Sequence, residues 1–344
     1  MTSWPPTAWW TDSGSIQDPN PQDACHVAAA WQASFRTSAP PKTIHSCESE
    51  VITMRLGTMT SLFFTRRGRE DRISYLESVR RCHDAGFRVL DANLCPLSRR
   101  QTTLHLDDWR QQVDEIRNEA EKLGMVFSQS HPPYRGRLDR LETEEDRQYF
   151  RSMLLRAIEI SAMLGVKWAV LHPETAPGSS CYDLEANIRE NQRIYDQELE
   201  LAHKLGVGLA FENMCDRGQR RRFGTTAYEL EKLMDACASP LVGICWDVGH
   251  AHRTSEDQIP GIMRLGNRIK ALHIDDNHGE KDLHLMPFLG SVPWEDVMHA
   301  LYVSGCQADL IYEIRINGSM PDELMDLSAQ YCRQVGEHLL SLYR

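Results

Sequence analysis

Residues 201–213 read LAHKLGVGLAFEN. Leu201 to Leu205 close a stretch with helical spacing, and Gly206 stands where a helix turns into a left-handed C′ residue. The apolar run at 208–211 has the length of a strand and stops on two polar residues, Glu212 and Asn213. This order of helix, glycine, strand and polar stop recurs along the chain. Gly86, Gly124, Gly165, Gly266 and Gly305 occupy the same place as Gly206, each followed within a few residues by a strand-like run.

Those runs lie at 53–64, 87–94, 125–130, 168–172, 208–211, 242–246, 269–274 and 310–314. Helical spacing fills 72–85, 107–123, 144–164, 184–205, 227–237, 256–265, 294–303 and 322–343. Eight strand–helix units in strict alternation require parallel strands, and eight is the number that closes a barrel. An open doubly wound sheet is the competing architecture, but no G-x-G-x-x-G follows any strand. The expected fold is therefore α/β, a (β/α)8 TIM barrel over residues 51–344.

Residues 1–50 read differently. Pro5, Pro6, Pro19, Pro21, Pro40 and Pro41 stand among Trp, Ser, Thr and Gln without a sustained period. A poorly ordered N-terminal extension with a short helix at 24–34 is expected there. Trp4, Trp9 and Trp10 are candidates for docking on a partner or on the main body, and Met54 is an alternative translation start.

Composition narrows the function classes. The 344 residues carry 38 basic and 49 acidic side chains, a net −11, which argues against a protein held by nucleic-acid phosphates or an anionic membrane surface. No stretch of about 18 apolar residues exists to span a bilayer, and no basic and apolar leader opens the chain. None of the 10 cysteines forms a C-x-x-C pair, so a local zinc ribbon or thioredoxin-like motif is excluded. Buried free thiols in the reducing cytoplasm are the expectation.

In a parallel barrel the chemistry sits where strands end. Here the third strand ends in Ser130-His131-Pro132-Pro133, the fourth in His172-Pro173-Glu174 and the fifth in Glu212-Asn213. The sixth ends in Asp247-Val248-Gly249-His250, the seventh in His273-Ile274-Asp275-Asp276-Asn277 and the eighth in Glu313-Ile314-Arg315. One such residue is ordinarily a satisfied hydrogen-bonding group. Six consecutive strands delivering carboxylate or imidazole to one rim would crowd like charges, and a divalent cation relieves that crowding. The mixed oxygen and nitrogen donors suit Mn²⁺, Mg²⁺, Zn²⁺ or Co²⁺.

The succession F-E-N, C-W-D-V-G-H, A-L-H-I-D-D-N and Y-E-I resembles the xylose isomerase-like superfamily of sugar isomerases and epimerases. The resemblance runs from about Met54 to the C-terminus and is most specific between Leu209 and Glu313. In that family Glu, Asp, His and Glu from strands five to eight hold one metal. Carried over, the ligands are Glu212, Asp247, His273 and Glu313. The superfamily also contains endonuclease IV, which cuts DNA at abasic sites with three zinc ions. Its additional ligand types are matched by His131, His172, His250, Asp282 and His284, so a second or third metal stays open. The net charge, the sugar-isomerase-like loop DLHLMPFLGSVPW and the lack of a recognisable intercalating loop weigh against a nuclease.

The resemblance implies a small carbohydrate substrate, with no nucleic acid or membrane partner. Glu212 and Glu313 are the expected proton-transferring pair, working through an enediolate; His131, His172, Glu174, His250, Asp282 and His284 bind substrate or a second metal. Arg217, Arg220, Arg221 and Arg222 form either a solvated run or a reach over the barrel mouth, Arg217 being the named substrate-loop candidate. Gly318-Ser319 offers a weak phosphate-binding signal. The 7 lysines include only Lys167 and Lys270 beside strands, both at the wrong end for a Schiff base or for a lysine-assisted hydride shift. Gly218 and Gly279 stand where the ketose 3-epimerase pattern has Glu and Arg, so a dehydratase of inososes remains beside isomerase and epimerase. A catalytically silent binding barrel is a third class, disfavoured by the complete ligand set. The oligomeric state is left open, a homo-oligomer included.

Overall fold

A computed structural model describes residues 54–63, 73–134, 143–216, 221–255, 257–316 and 318–344. The expected extension at 1–50, its helix and its three tryptophans lie outside these residues, as do Arg217, Gly218 and Arg220.

Each apolar run forms a strand where the sequence predicts one. They are β1 (Leu56–Met59), β2 (Val89–Asn93), β3 (Val126–His131), β4 (Trp168–Leu171), β5 (Gly208–Glu212), β6 (Val242–Asp247), β7 (Ile269–His273) and β8 (Leu310–Tyr312). All ladders are parallel, in the order β7-β6-β5-β4-β3-β2-β1-β8. The remaining seam closes just past β7, where Ile274 N–H donates to Ile311 O (2.8 Å) and Glu313 N–H to Ile274 O (3.1 Å). The result is the expected eight-stranded barrel, nearly closed by ladders and joined at the seam by one bridge.

The two-residue period of a strand decides what faces inward. Leu209 and Phe211, Ile244 and Trp246, and Leu272 belong to the large apolar layer between strands and helices. Val170, Ala210, Cys245 and Ala271 form a separate small cluster with Trp168. Two residues beyond these four, on the same face, come His172, Glu212, Asp247 and His273. The inward rows are thus small and apolar below, titratable above. Gly208 completes the lower layer, because a Cβ there would lie 2.3 Å from the Trp168 ring.

Three local differences from the sequence reading have visible causes. The helix expected at 184–205 is two, Leu184–Ile194 and Asp196–Leu205, because Tyr195 turns inward, is 1% exposed and donates its hydroxyl to His172 O at 2.6 Å. The run at 53–64 is cut short by a 3-10 turn, Thr60–Leu62. A short helix, Val248–Thr254, precedes Ile259–Leu265, where one helix at 256–265 is expected; Asp247 caps it by accepting His250 N–H at 2.6 Å. The six helix-ending glycines all have positive φ. Among the described residues no helix is long and apolar enough to cross a membrane.

Candidate functional site

Register carries the donors to one level. Asp247 pairs across the ladder with His273, and Glu212 with Cys245 just below it. His273 Nδ1 lies 2.8 Å from Glu212 Oε1, 3.1 Å from Glu313 Oε2 and 3.9 Å from Asp247 Oδ2. One donor atom from each of these four residues lies within 4.8 Å of the other three. Glu212, Asp247 and His273 are 0% exposed. Asp247 divides its carboxylate: Oδ1 caps the following helix, while Oδ2 is buried without a hydrogen bond. Glu212 Oε2 likewise lacks one, its 2.6 Å contact with His172 Nε2 having no hydrogen-bond geometry.

Two further groups adjoin this one. His131, His172 and Glu212 form the first, with 3.1 Å between the two imidazole Nε2 atoms. Cys215, His250 and Asp282 form the second, joined by His284, whose Nε2 is 3.3 Å from Asp282 Oδ2. Both histidines of this second group are oriented by backbone: His250 Nδ1 meets Asn213 O at 2.9 Å and His284 Nδ1 meets Glu313 O at 2.8 Å. Each Nε2 is therefore turned toward Asp282, the arrangement that fixes imidazoles as metal or substrate ligands. These groups line one polar cavity of about 380 Å³.

The electrostatics follow from burying acids and imidazoles together. Burial works to raise the pKa of Glu212, but His172, His273 and His131 outweigh it and hold the carboxyl well below its usual range. Glu313 behaves alike: burial is overcome by His273 and His284, leaving it at about 2. Asp247 is pushed well above the carboxylate range by burial and by neighbouring Asp275. Asp275 itself, buried with both oxygens unbonded, is raised to about 7 by burial first and by the Glu313 charge. Burial lowers His172 to about 4. His284, despite burial, is raised to about 9 by its bond to Asp282 and by the charges of Glu313 and Asp275. A dication among Glu212, Asp247, His273 and Glu313 would relieve the repulsion and engage the unbonded oxygens. The donor set, three carboxylates and one imidazole, fits such an ion.

Most residues singled out in the sequence converge here. Glu212, Glu313, His131, His172, His250, Asp282 and His284 line the cavity, while Asp247 and His273 lie in the buried group beside it. Glu174 does not line it; its backbone is held by Asn191, with 2.8 Å bonds both ways. Asp276 proves to be a strut, accepting bonds from the backbone of Asn277, Phe288 and Val292 and from Trp294 Nε1. Of the arginine run, Arg222 lines the cavity, whereas Arg221 pairs with Glu229 at 2.8 Å. Gly318 and Ser319 do not line it.

Sequence reasoning gave no role to Cys95, Tyr134, Cys215, Arg253 and Arg315, all of which line the cavity. Arg253 had a readable signal, standing one helical turn after His250. Cys95 had none: its Sγ meets His131 Nδ1 at 3.3 Å only through the pairing of β2 with β3. Asp91 was legible as a lone acid in the apolar run of β2; it is 0% exposed and 4.0 Å from His273 Nε2. Burial above all raises its pKa to about 6.

Known proteins share this architecture. A protein called y4fM from Sinorhizobium fredii is 27% identical over 169 residues, 48% of this chain and 53% of its own. A probable endonuclease 4 from Shouchella clausii is 26% identical over 187 residues, 50% of this chain and 62% of its own. The chain thus spans about half the length of the curated relatives it matches. Among solved structures, a D-tagatose 3-epimerase-like protein superposes with a TM-score of 0.63 at 20% identity, over 84% of this chain and 98% of that one. A family model described as Xylose isomerase-like TIM barrel matches residues 79–335. The chain belongs to that family of xylose isomerase-like TIM barrels.

Proposed function

We propose that the chain is a divalent-metal-dependent isomerase or epimerase of a sugar, sugar phosphate or related polyol, acting by proton abstraction beside a carbonyl through an enediolate. The observation that carries this reading is the convergence of Glu212, Asp247, His273 and Glu313 beside a polar cavity. A cavity of about 380 Å³ lies within the small-molecule range of about 300–1,000 Å³.

Glu212, Asp247, His273 and Glu313 would hold the divalent cation, which would supply Lewis-acid polarisation of a substrate carbonyl. Glu212 and Glu313 reach the cavity from the ends of β5 and β8, and both are held in the ionised form. One removes the proton next to the carbonyl and becomes the acid; the other, taking up a proton from solvent in the cavity, returns it on the same or the opposite face. His250, tied at Nδ1 to Asn213 O, keeps Nε2 for the developing oxyanion. His172 and His284 grip hydroxyls from the cavity wall. Glu174 takes no part in this scheme.

A second reading has its own observation. The groups His131–His172–Glu212 and Cys215–His250–Asp282 could hold additional metals, as in an endonuclease IV-like abasic-site nuclease. A relative named probable endonuclease 4 is in accord with it, and the net −11 is against it. The test is to incubate metal-loaded protein with ketoses and inososes, and separately with duplex DNA containing an abasic site. Conversion of a sugar to its epimer or isomer supports the proposal, and loss of water from an inosose identifies the dehydratase variant of the same chemistry. DNA cleavage with no sugar converted reverses the order of the two readings.

A further inference from the structure

Three arginines face the cavity from three different segments. Arg222 follows β5, Arg253 lies in the helix Val248–Thr254 and Arg315 follows β8. They stand nearer solvent than the buried acids: Arg315 is exposed and the other two are half-buried, whereas Glu212 is fully buried. Arg253 is held against the wall, its Nη1 donating to Cys215 Sγ at 3.0 Å and its Nε to Glu280 O at 3.2 Å. Arg315 is positioned by its backbone, which donates to His284 O at 2.9 Å. Among the described residues neither Arg253 nor Arg315 forms an ion pair, in contrast to Arg221 with Glu229. In a chain with 49 acidic against 38 basic residues, three arginines from separate segments around one cavity run contrary to composition.

We propose that Arg222, Arg253 and Arg315 form an anion subsite at the cavity mouth, and that the substrate carries a phosphate or carboxylate group. Guanidinium groups present forked donors that match the oxygens of either anion. The acids deeper in the cavity engage the reacting end of the molecule, and the arginines hold its charged end. This inference rests on the reading that the cavity takes a sugar-like small molecule.

Calorimetric titration of the metal-loaded full chain with D-fructose 6-phosphate, D-gluconate and D-fructose tests it. At low ionic strength at least one anionic probe is expected to bind about ten-fold or more tightly than D-fructose. Whichever it is, the phosphate or the carboxylate, identifies the anion. Arg315→Gln and Arg222→Gln are each expected to lower that affinity about ten-fold, Arg315→Gln while leaving D-fructose binding, metal content and thermal unfolding unchanged. Repeating the titration after metal removal separates direct metal binding, since the arginine effect should persist. Binding of anionic and neutral probes that is equal, absent, or insensitive to both substitutions overturns the subsite. Anion binding without any sugar conversion leaves the subsite standing and removes the isomerase reading; conversion of neutral sugars with no arginine dependence does the reverse.

Discussion

Asn213 and Asp247 hold each other in place. Asn213 Nδ2 donates to Asp247 O at 2.8 Å, and Asp247 N–H donates back to Asn213 Oδ1 at 2.6 Å, both buried. Asn213→Ala leaves these two backbone groups unpaired, at about 1–3 kcal/mol each. The variant is therefore expected to lose about 2–6 kcal/mol in urea unfolding and to bind metal more weakly; unchanged stability would contradict the strut. Glu313→Gln removes a proposed proton carrier and is expected to slow turnover by about 10²–10⁴. Individual residues were the most legible part of the sequence where an acid or imidazole interrupted an apolar run, as at Glu212, Asp247 and His273. Side by side, Asp275 and Asp276 look alike in sequence. Only the fold separates a buried unbonded acid from one accepting four hydrogen bonds.

The short helix Val248–Thr254 shows how an element aims a side chain. Its cap is Asp247, and its second residue, Gly249, packs so closely that a Cβ would lie 2.0 Å from Asp275 Oδ1. Gly249→Ala must displace either Asp275 or the helix that carries His250. The expected outcome is weaker metal retention during dialysis against chelator, with the barrel still folded; unaltered retention would show that the helix is not a positioning device. Strands were legible because an apolar run bounded by turns has few alternatives. The break at Tyr195 was not, since the periodic pattern continues across 184–205 and the cause is a bond to His172 O, distant in sequence. Cys95, Cys215 and Arg315 escaped for the same reason: the fold, not the sequence neighbours, brings them to the cavity.

At the scale of the molecule, a cluster of buried acids is balanced by protons on imidazoles or by a cation. His284 is raised to about 9, and His131, His250 and His273 lie well above the ordinary imidazole value despite burial. An unfolded histidine titrates near 6.5. The stabilisation from the bound proton is thus complete below that pH and lost as pH rises through about 9. Metal-stripped protein is expected to melt at falling temperatures from pH 6.5 to 9, and metal-loaded protein less steeply, because the cation would replace the proton on His273 and neutralise the Glu313 charge that helps to hold the one on His284. Equal pH profiles would contradict the cluster's role.

The central claim is proton transfer at carbon, and exchange with solvent reports it before the true substrate is known. Metal-loaded protein is incubated in deuterium oxide with a panel of ketoses, their phosphates and inososes, and followed by proton NMR. Loss of the signal from the carbon-bound proton next to the carbonyl of at least one compound is expected, abolished by chelation and sharply slowed by Glu313→Gln. Full retention of that signal in every compound by protein proven to carry its metal would contradict the account.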